Sequence, residues 1–338
     1  MDARVYDGQT LKQAFKSGED LLEQRIDEIN NLNVFPVPDG DTGINMFLTL
    51  QSANQAIKDT TSRSASEVAS LAANGALLGA RGNSGVIFSQ ILLGLARGLA
   101  NKDQFTAIDF AQALLNASEN AYKALLEPVE GTILTVIRES AEIAVQKARG
   151  GANLQQTIAA LTSQAKDTVA HTPDMLPVLK EAGVVDAGGK GLFYFFQGMK
   201  NFMVKKMNPV EGYKAVRRRA ARMQVESIYG YDLQFLIEGR NMPVDEIRSG
   251  VCTMGESVLV VGDESLIRVH VHTKNSQAVM DYCAEFGALK DIINDNMDDQ
   301  VRAFHKRQNL EHIPDESVFL AEDEEPEERE LGGSAVRP

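Results

Sequence analysis

The segment Pro38-Asp39-Gly40-Asp41-Thr42-Gly43-Ile44-Asn45 sets two carboxylates one residue apart in a glycine-broken loop that opens onto an apolar helix. Hard divalent cations take carboxylate oxygens, and Mg²⁺ usually binds through one or two of them together with substrate phosphates. Asp39 and Asp41 supply such ligands, while Gly40 and Gly43 let the backbone approach a bulky anion. Thr42 and Asn45 sit in the first turn of the helix, whose free N–H groups and positive dipole end favour phosphate. The same residue types also make an ordinary turn and helix N-cap, so this stretch by itself leaves both readings open.

Two further loops have the same character. Gly79-Ala80-Arg81-Gly82-Asn83-Ser84-Gly85 precedes the apolar run Val86 to Leu93, and Asp186-Ala187-Gly188-Gly189-Lys190-Gly191 precedes Leu192 to Phe196. Asn83 and Ser84 offer donors to oxygens, whereas tight helix packing is the competing reason for so many small residues. Neither loop has the P-loop spacing. Neither fits a dinucleotide fingerprint, since the strand and acidic partner are missing.

Apolar residues recur at helical spacing through the first two hundred positions. The expected helices are Leu11–Leu32, Ile44–Ile57, Ala65–Leu78, Ser84–Leu99, Ala107–Leu126, Ile133–Ala148, Leu154–Val169 and Leu192–Val204, with strand signals nearly absent. Prolines and glycines punctuate the ends. Residues 205–223 read as a linker, carrying Pro209, Gly212 and the cationic run Arg217-Arg218-Arg219. Beyond them the pattern alternates as strands do, at Gly230 to Glu238, Ser257 to Val261 and Leu266 to His272, with helices expected at Val244–Ser249 and Ser276–Glu285. Domains are therefore expected at 1–204 (all-α, eight helices) and 224–312 (α+β), followed by an acidic disordered tail or linker at 313–338.

His270 and His272 project from one strand face, so they can share one cation. Zn²⁺ suits such nitrogen ligands, although histidines on a partly exposed strand are the plainer alternative.

The net charge of −13 over 338 residues excludes a basic footprint for nucleic acid. Cys252 and Cys283 fit no disulfide framework, the N-terminus lacks a signal-type apolar run, and no apolar stretch is long and unbroken enough to span a membrane, so the expected location is cytoplasmic.

Four ordered strings, Asn33 to Met46, Gly79 to Gly85, Val129 to Thr135 and Asp186 to Gly189, together resemble the nucleotide-binding domain of the dihydroxyacetone kinase L subunit family. They are more closely similar to the nucleotide-binding subunit of bacterial fatty acid kinase. The resemblance implies an all-helical barrel with ATP or ADP and two Mg²⁺ ions at one rim, held by Asp39 and Asp41. It implies nucleotide contacts at Thr42, Gly43, Ile44, Asn45, Asn83, Ser84, Thr132, Asp186, Ala187 and Gly188. The dihydroxyacetone branch carries a further acid shortly before the pair; Asn33 is the nearest residue here.

The Tyr229-Gly230-Tyr231 and His270-Val271-His272-Thr273 strings resemble the middle domain of the fatty acid kinase group, where such histidines are associated with zinc. Asp232 stands where that group has a cysteine, and Cys252 is an alternative ligand. The resemblance further implies phosphorylation of a fatty acid carboxylate delivered by a carrier protein, with His270 and His272 contributing to transfer or carrier engagement rather than to nucleotide binding. Long members continue into a domain thought to dock the carrier, so this chain is expected to be a short or partial form. A homodimer stays open. The alternatives are a dihydroxyacetone kinase L-type relay subunit using bound ADP, and a non-catalytic nucleotide sensor.

Overall fold

The computed structural model describes residues 4–205 and 230–310. The expected linker, apart from Lys205, and the expected acidic tail lie outside the described residues, as does Tyr229. The first part of the chain folds in the order β1 (Tyr6–Asp7), α1 (Gly8–Glu23), α2 (Ile26–Asn30), α3 (Thr42–Ile57), α4 (Ala65–Gly79), α5 (Gly82–Gly98), β2 (Gln104–Phe105), α6 (Ala107–Ala124), α7 (Ile133–Arg149), α8 (Leu154–Met175), α9 (Pro177–Ala182) and α10 (Ala187–Lys205). Each long helix packs on its sequence neighbour, and α10 closes the ring against α1 and α8. At that closure a Cβ on Gly198 would lie 2.3 Å from the Ser17 carbonyl oxygen, so the two helices touch backbone to backbone.

Three details depart from the sequence reading. The expected helix Leu11–Leu32 breaks at Gln24–Arg25 into α1 and α2. A two-residue antiparallel bridge pairs Tyr6 with Phe105 and Asp7 with Gln104 where no strand was expected. Helix α8 runs past Val169 and through Pro173 to Met175. Proline lacks the N–H that would bond the Val169 carbonyl. The Thr172 hydroxyl fills that place, donating to Val169 O at 2.7 Å.

The second part comprises β3 (Tyr231–Glu238), α11 (Val244–Cys252), β4 (Glu256–Gly262), β5 (Leu266–Thr273), α12 (Ser276–Ala284), β6 (Ala288–Asn296) and α13 (Met297–Leu310). Its antiparallel sheet has the order β4-β5-β3-β6. The strand β6 and helix α13 were not foreseen. Residues of β6 are mostly exposed, so the strand lacks the apolar alternation that marks a half-buried one.

Alternation gives the sheet two different faces. Leu233, Phe235, Ile237, Val260, Ile267, Val269 and Val271 form one core with Ile247 and Val251 of α11 and Val279 and Cys283 of α12. The opposite face carries Asp232, Gln234, Arg268, His270 and His272, and its Leu259 and Val261 join the core of the helical part. The sheet thus lies on the helical barrel at the α4–α5 corner.

Arg268 anchors it. The side chain is 3% exposed, and its guanidinium donates to the Leu77 and Leu78 carbonyls in the last turn of α4. Burial pulls its pKa down to about 10, with Asp291 opposing the drop, so it stays cationic at neutral pH. A cation there suits the negative end of the helix. Replacing Arg268 with Met keeps the aliphatic stem but strands two carbonyls, and hydrogen bonds involving a charged group contribute about 1.5–3 kcal/mol. The variant should lose about 2–3 kcal/mol in urea unfolding; a loss below about 0.5 kcal/mol would show that the contact does not hold the sheet down.

Candidate functional site

Helices starting at the two ends of the barrel treat their free N–H groups differently. Asp7, Ser64, Thr106 and Asn153 cap α1, α4, α6 and α8 with their own side chains. At the other end begin α3, α5, α7 and α10, and their N-terminal residues Thr42, Gly82, Ile133 and Gly188 line one cavity of about 480 Å³. The N-cap residues of α3 and α5, Asp41 and Arg81, make no side-chain capping bond.

For α3 the cap comes from α2. Asn30 Oδ1 accepts from Gly43 N at 2.7 Å and Ile44 N at 3.3 Å. The break in the expected first helix is what brings Asn30 there. Asp41 is therefore not the cap that its position suggests, and its carboxylate lies beside Asp39 and Asn45. Asn33 organises the rest of the loop: its amide donates to Val37 O at 2.9 Å and to Asp39 Oδ1 at 2.5 Å, while its own oxygen accepts from the Thr42 hydroxyl. Three asparagines, at 30, 31 and 33, immediately before a proline-rich loop were the available signal for these two organising residues.

For α5 the partner comes from the sheet. Gly82 N donates to Gln234 Oε1 at 2.9 Å, and Gln234 Nε2 donates to Asp232 Oδ2 at 2.8 Å. Gly82 has φ +56° and a Cβ there would fall 2.3 Å from Asn45 Nδ2, so only glycine fits. Gly85 is a packing residue, with a Cβ falling 2.5 Å from Thr49 Oγ1 of α3.

The cavity is lined by Asp39, Asp41, Thr42, Asn83, Ser84, Thr132, Asp186 and Gly188 from the helical part, and by Asp232 and His272 from the sheet. Gly43, Ile44, Asn45 and Ala187 lie just behind its wall, and His270 is fully buried under it. Thr132 and Asp186 double as caps: the Thr132 hydroxyl accepts from Leu134 N at 3.4 Å, and Asp186 Oδ2 accepts from Gly189 N at 2.6 Å. Asp186 N in turn donates to the Thr172 hydroxyl of α8 at 3.0 Å. Burial raises the Asp186 carboxyl to about 6 despite the bond from Gly189. Apolar side chains, among them Phe35, Ile87, Leu125 and Val258, complete the walls.

Two groups of candidate residues that the sequence presented as separate sites meet in this cleft. Asp39 is held well above the usual carboxylate range by burial first, then by Asp41 and Asp232. Asp41 is raised as well, again chiefly by burial, with Asp232 adding to the rise and His270 opposing it. Three carboxylates crowded under a sheet call for cations. The acid pair was expected on an open rim; the sheet and α13 cover it. Val37 of the loop packs with Met297 and Val301 of α13, and a Cβ on Gly40 would strike the Phe304 ring.

Asp232, His270 and His272 each present one ligand atom, all within 4.8 Å of one another. Register explains this: Asp232 pairs with His272 and Gln234 with His270 across β3 and β5, on one face. His270 Nδ1 lies 3.0 Å from Asp232 Oδ1, but without hydrogen-bond geometry, and both His270 ring nitrogens and Asp232 Oδ1 are buried without a hydrogen-bond partner. Burial costs Asp232 some of its acidity, but His270 and His272 outweigh that and hold it below the usual range. Burial and His270 pull His272 down to about 4, so its ring is a neutral donor at pH 7. Unpartnered nitrogens beside a carboxylate fit a small cation with borderline-soft preference. Cys252 lines the cavity outside this cluster, and both cysteines are free thiols.

Among the described residues no helix is long and apolar enough to cross a membrane.

Comparison with known proteins matches residues 36–201 to the DAK2 domain and residues 228–304 to the FakA-like middle domain of fatty acid kinase. Protein YloV of Bacillus subtilis is 35% identical over 315 residues, covering 89% of this chain and 57% of its own length. An uncharacterized protein of Staphylococcus saprophyticus is 35% identical over 316 residues, covering 90% and 57%. The chain thus spans little more than half the length of these relatives. Among solved structures, the dihydroxyacetone kinase from C. freundii in complex with AMP-PNP and Mg²⁺ overlaps 56% of this chain and 33% of its own, at 14% identity and a TM-score of 0.43. The helical barrel with its acid-bearing rim and the sheet laid across it are accordingly a DAK2 domain joined to a FakA-like middle domain, and the chain belongs to the FakA-like fatty acid kinase family that combines the two.

Proposed function

We propose that this chain binds MgATP at the helix rim and transfers the γ-phosphoryl group to the carboxylate of a fatty acid presented by a carrier protein, giving an acyl phosphate and ADP. The observation that carries the reading is convergence: Thr42, Asn83, Ser84, Thr132, Asp186 and Gly188 line one cavity with Asp39 and Asp41, at the N-termini of four helices. Helix N-termini favour phosphate, and paired carboxylates favour the cation that accompanies it. The kinase-family domains point the same way, and the acceptor follows from the FakA-like middle domain.

Magnesium bound to Asp39 and Asp41 would neutralise charge on the β- and γ-phosphates. Asn83 and Ser84 orient the phosphoryl group, and the covering sheet face excludes water that would otherwise compete for it. An acceptor carboxylate oxygen attacks phosphorus as the bond to the bridging oxygen breaks and ADP leaves. No general base is needed, because carboxylates are ionised at neutral pH. Phe35, Ile87, Leu125 and Val258 supply apolar surface for the base of the nucleotide. We assign Asp232, His270 and His272 to Zn²⁺, which would fix the sheet face over the site.

The direct test is product analysis. Purified protein, ATP, Mg²⁺ and a fatty-acid-loaded carrier should give ADP and an acyl phosphate trapped as its hydroxamate, with neither formed when the carrier is empty. ADP release independent of any acyl acceptor, or none at all, would overturn the assignment.

Asp39→Asn and Asp41→Asn should each weaken MgATP binding at least tenfold in titration calorimetry and remove its Mg²⁺ dependence. Because both acids are held above their ordinary pKa, folding without metal favours their protonated forms, and metal-free stability falls as pH rises through the acid range. The neutral variants should therefore melt higher than the metal-free parent at pH 7. For the same reason Mg²⁺ affinity of the parent should climb with pH until both protons have left. A variant that binds as tightly as the parent and melts no higher would make the pair structural.

Ser84→Ala should weaken MgATP binding about 3- to 10-fold, the loss of one hydrogen bond of about 0.5–1.5 kcal/mol. Unchanged affinity would remove Ser84 from the phosphate contacts.

A further inference from the structure

The middle domain reaches the second glycine loop through one side chain. Gln234 is 3% exposed and lies between the two parts of the chain. Its amide orientation is fixed by its neighbours, since Gly82 N–H can only donate and the Asp232 carboxylate can only accept. Asp232 uses Oδ2 for Gln234, while Oδ1 is turned to His270 and lacks a hydrogen-bond partner. An unbroken series of short contacts therefore runs from His270 through Asp232 and Gln234 to Gly82, at 3.0, 2.8 and 2.9 Å. Gly82 is the residue before Asn83 and Ser84. It has no slack of its own, because its left-handed backbone is wedged against Asn45 of α3.

We infer that Gln234 is a positioning residue that couples cation occupancy of the Asp232–His270–His272 cluster to nucleotide affinity. The inference rests on the proposed nucleotide site and runs against the sequence expectation that the histidine cluster is indifferent to nucleotide. A cation on Oδ1 and the imidazole nitrogens pins the Asp232 carboxylate, which pins the Gln234 amide. That in turn holds the start of α5, where Asn83 and Ser84 meet phosphate. Without the cation, Asp232 has a freely rotating carboxylate beside two other acids, and the loop loses its fixed end. Coupling of this kind is reciprocal: whatever factor the cation adds to nucleotide affinity, nucleotide must add to cation affinity.

The test uses the full chain, stripped with chelator and then reloaded with one equivalent of Zn²⁺, and titrated with MgATP in each state. Zinc should tighten MgATP binding at least fivefold, within the range typical of coupled sites. MgATP should tighten Zn²⁺ by the same factor in a competition titration against a chromogenic chelator. In Gln234→Met both factors should fall to near one while the zinc stoichiometry stays at one, an outcome that a merely structural contact would not give. Equal MgATP affinity in stripped and loaded parent, or coupling that survives in Gln234→Met, overturns the inference while leaving the nucleotide site standing. Failure of the loaded parent to bind MgATP at all overturns the site and the inference together. Should Gln234→Met not fold, hydrogen exchange in the parent decides. Zinc should slow exchange in the segment 81–85 but not in α8, and an equal rate with and without zinc there overturns the coupling.

Discussion

Everything at this site depends on putting carboxylates where helix N-termini already point. The four N-termini on the rim offer partial positive charge and unpaired donors, which by themselves would suit any small anion. Asp39 and Asp41 occupy that same space, and Asp232 descends on them from the sheet. Buried like charges resist one another, so the cleft is poorly satisfied by an anion alone or by a cation alone. It is best satisfied by both at once, which is the chemistry of a metal-bound polyphosphate. The capping pattern supports the same argument. A chain that only needed stable helices would cap α3 with Asp41, yet it uses Asn30 and leaves the carboxylate available.

The sheet is held by complementing helix ends rather than by apolar area alone. At the α4–α5 corner a carbonyl end and an N–H end lie a few residues apart, and the sheet brings a donor to the first and an acceptor to the second. Arg268 and Gln234 stand on the same sheet face as the histidines, so the strand register that builds the metal cluster also sets the domain contact. Slipping either strand by one residue would turn all five polar side chains into the α11–α12 core. Register and function are thereby tied. This is why the face alternates polar residues within strands that are buried on both sides.

The helices were legible because periodicity and punctuation are local, and so was the shared face of His270 and His272, which needs only the period of a strand. What escaped the sequence was set by contacts far apart in the chain. The break after Glu23 is invisible to apolar spacing, since Leu22, Ile26 and Ile29 continue one stripe; its reason is Asn30, which must turn to reach α3. The run of α8 through Pro173 depends on one hydroxyl replacing one missing N–H. Strand β6 has no apolar alternation to read, because one neighbour and mostly solvent surround it. For the site, the glycine loops and acids could be named, but that the zinc candidates face the magnesium candidates required knowing which face of the sheet lands on the rim. Gln234, between the two, carries no motif and is identified only by its two partners.

Helix α13 extends the same logic to the far side of the acid loop. Phe304 packs on Gly40, the residue between the two acids, and Met297 and Val301 pack on Val37 just before them. Gly40 has φ +72°, so the turn is one that an L side chain resists, and the ring fills the space that a side chain would need. The loop that carries Asp39 and Asp41 is consequently held at three points: Asn33 from before it, Asn30 from beneath the helix that follows it, and Phe304 from the end of the middle domain. Two of these are polar and fix direction, whereas the third is apolar and fixes distance. A site that must hold two repelling carboxylates in place needs both kinds of restraint, because polar contacts alone would let the pair splay apart when no cation is bound.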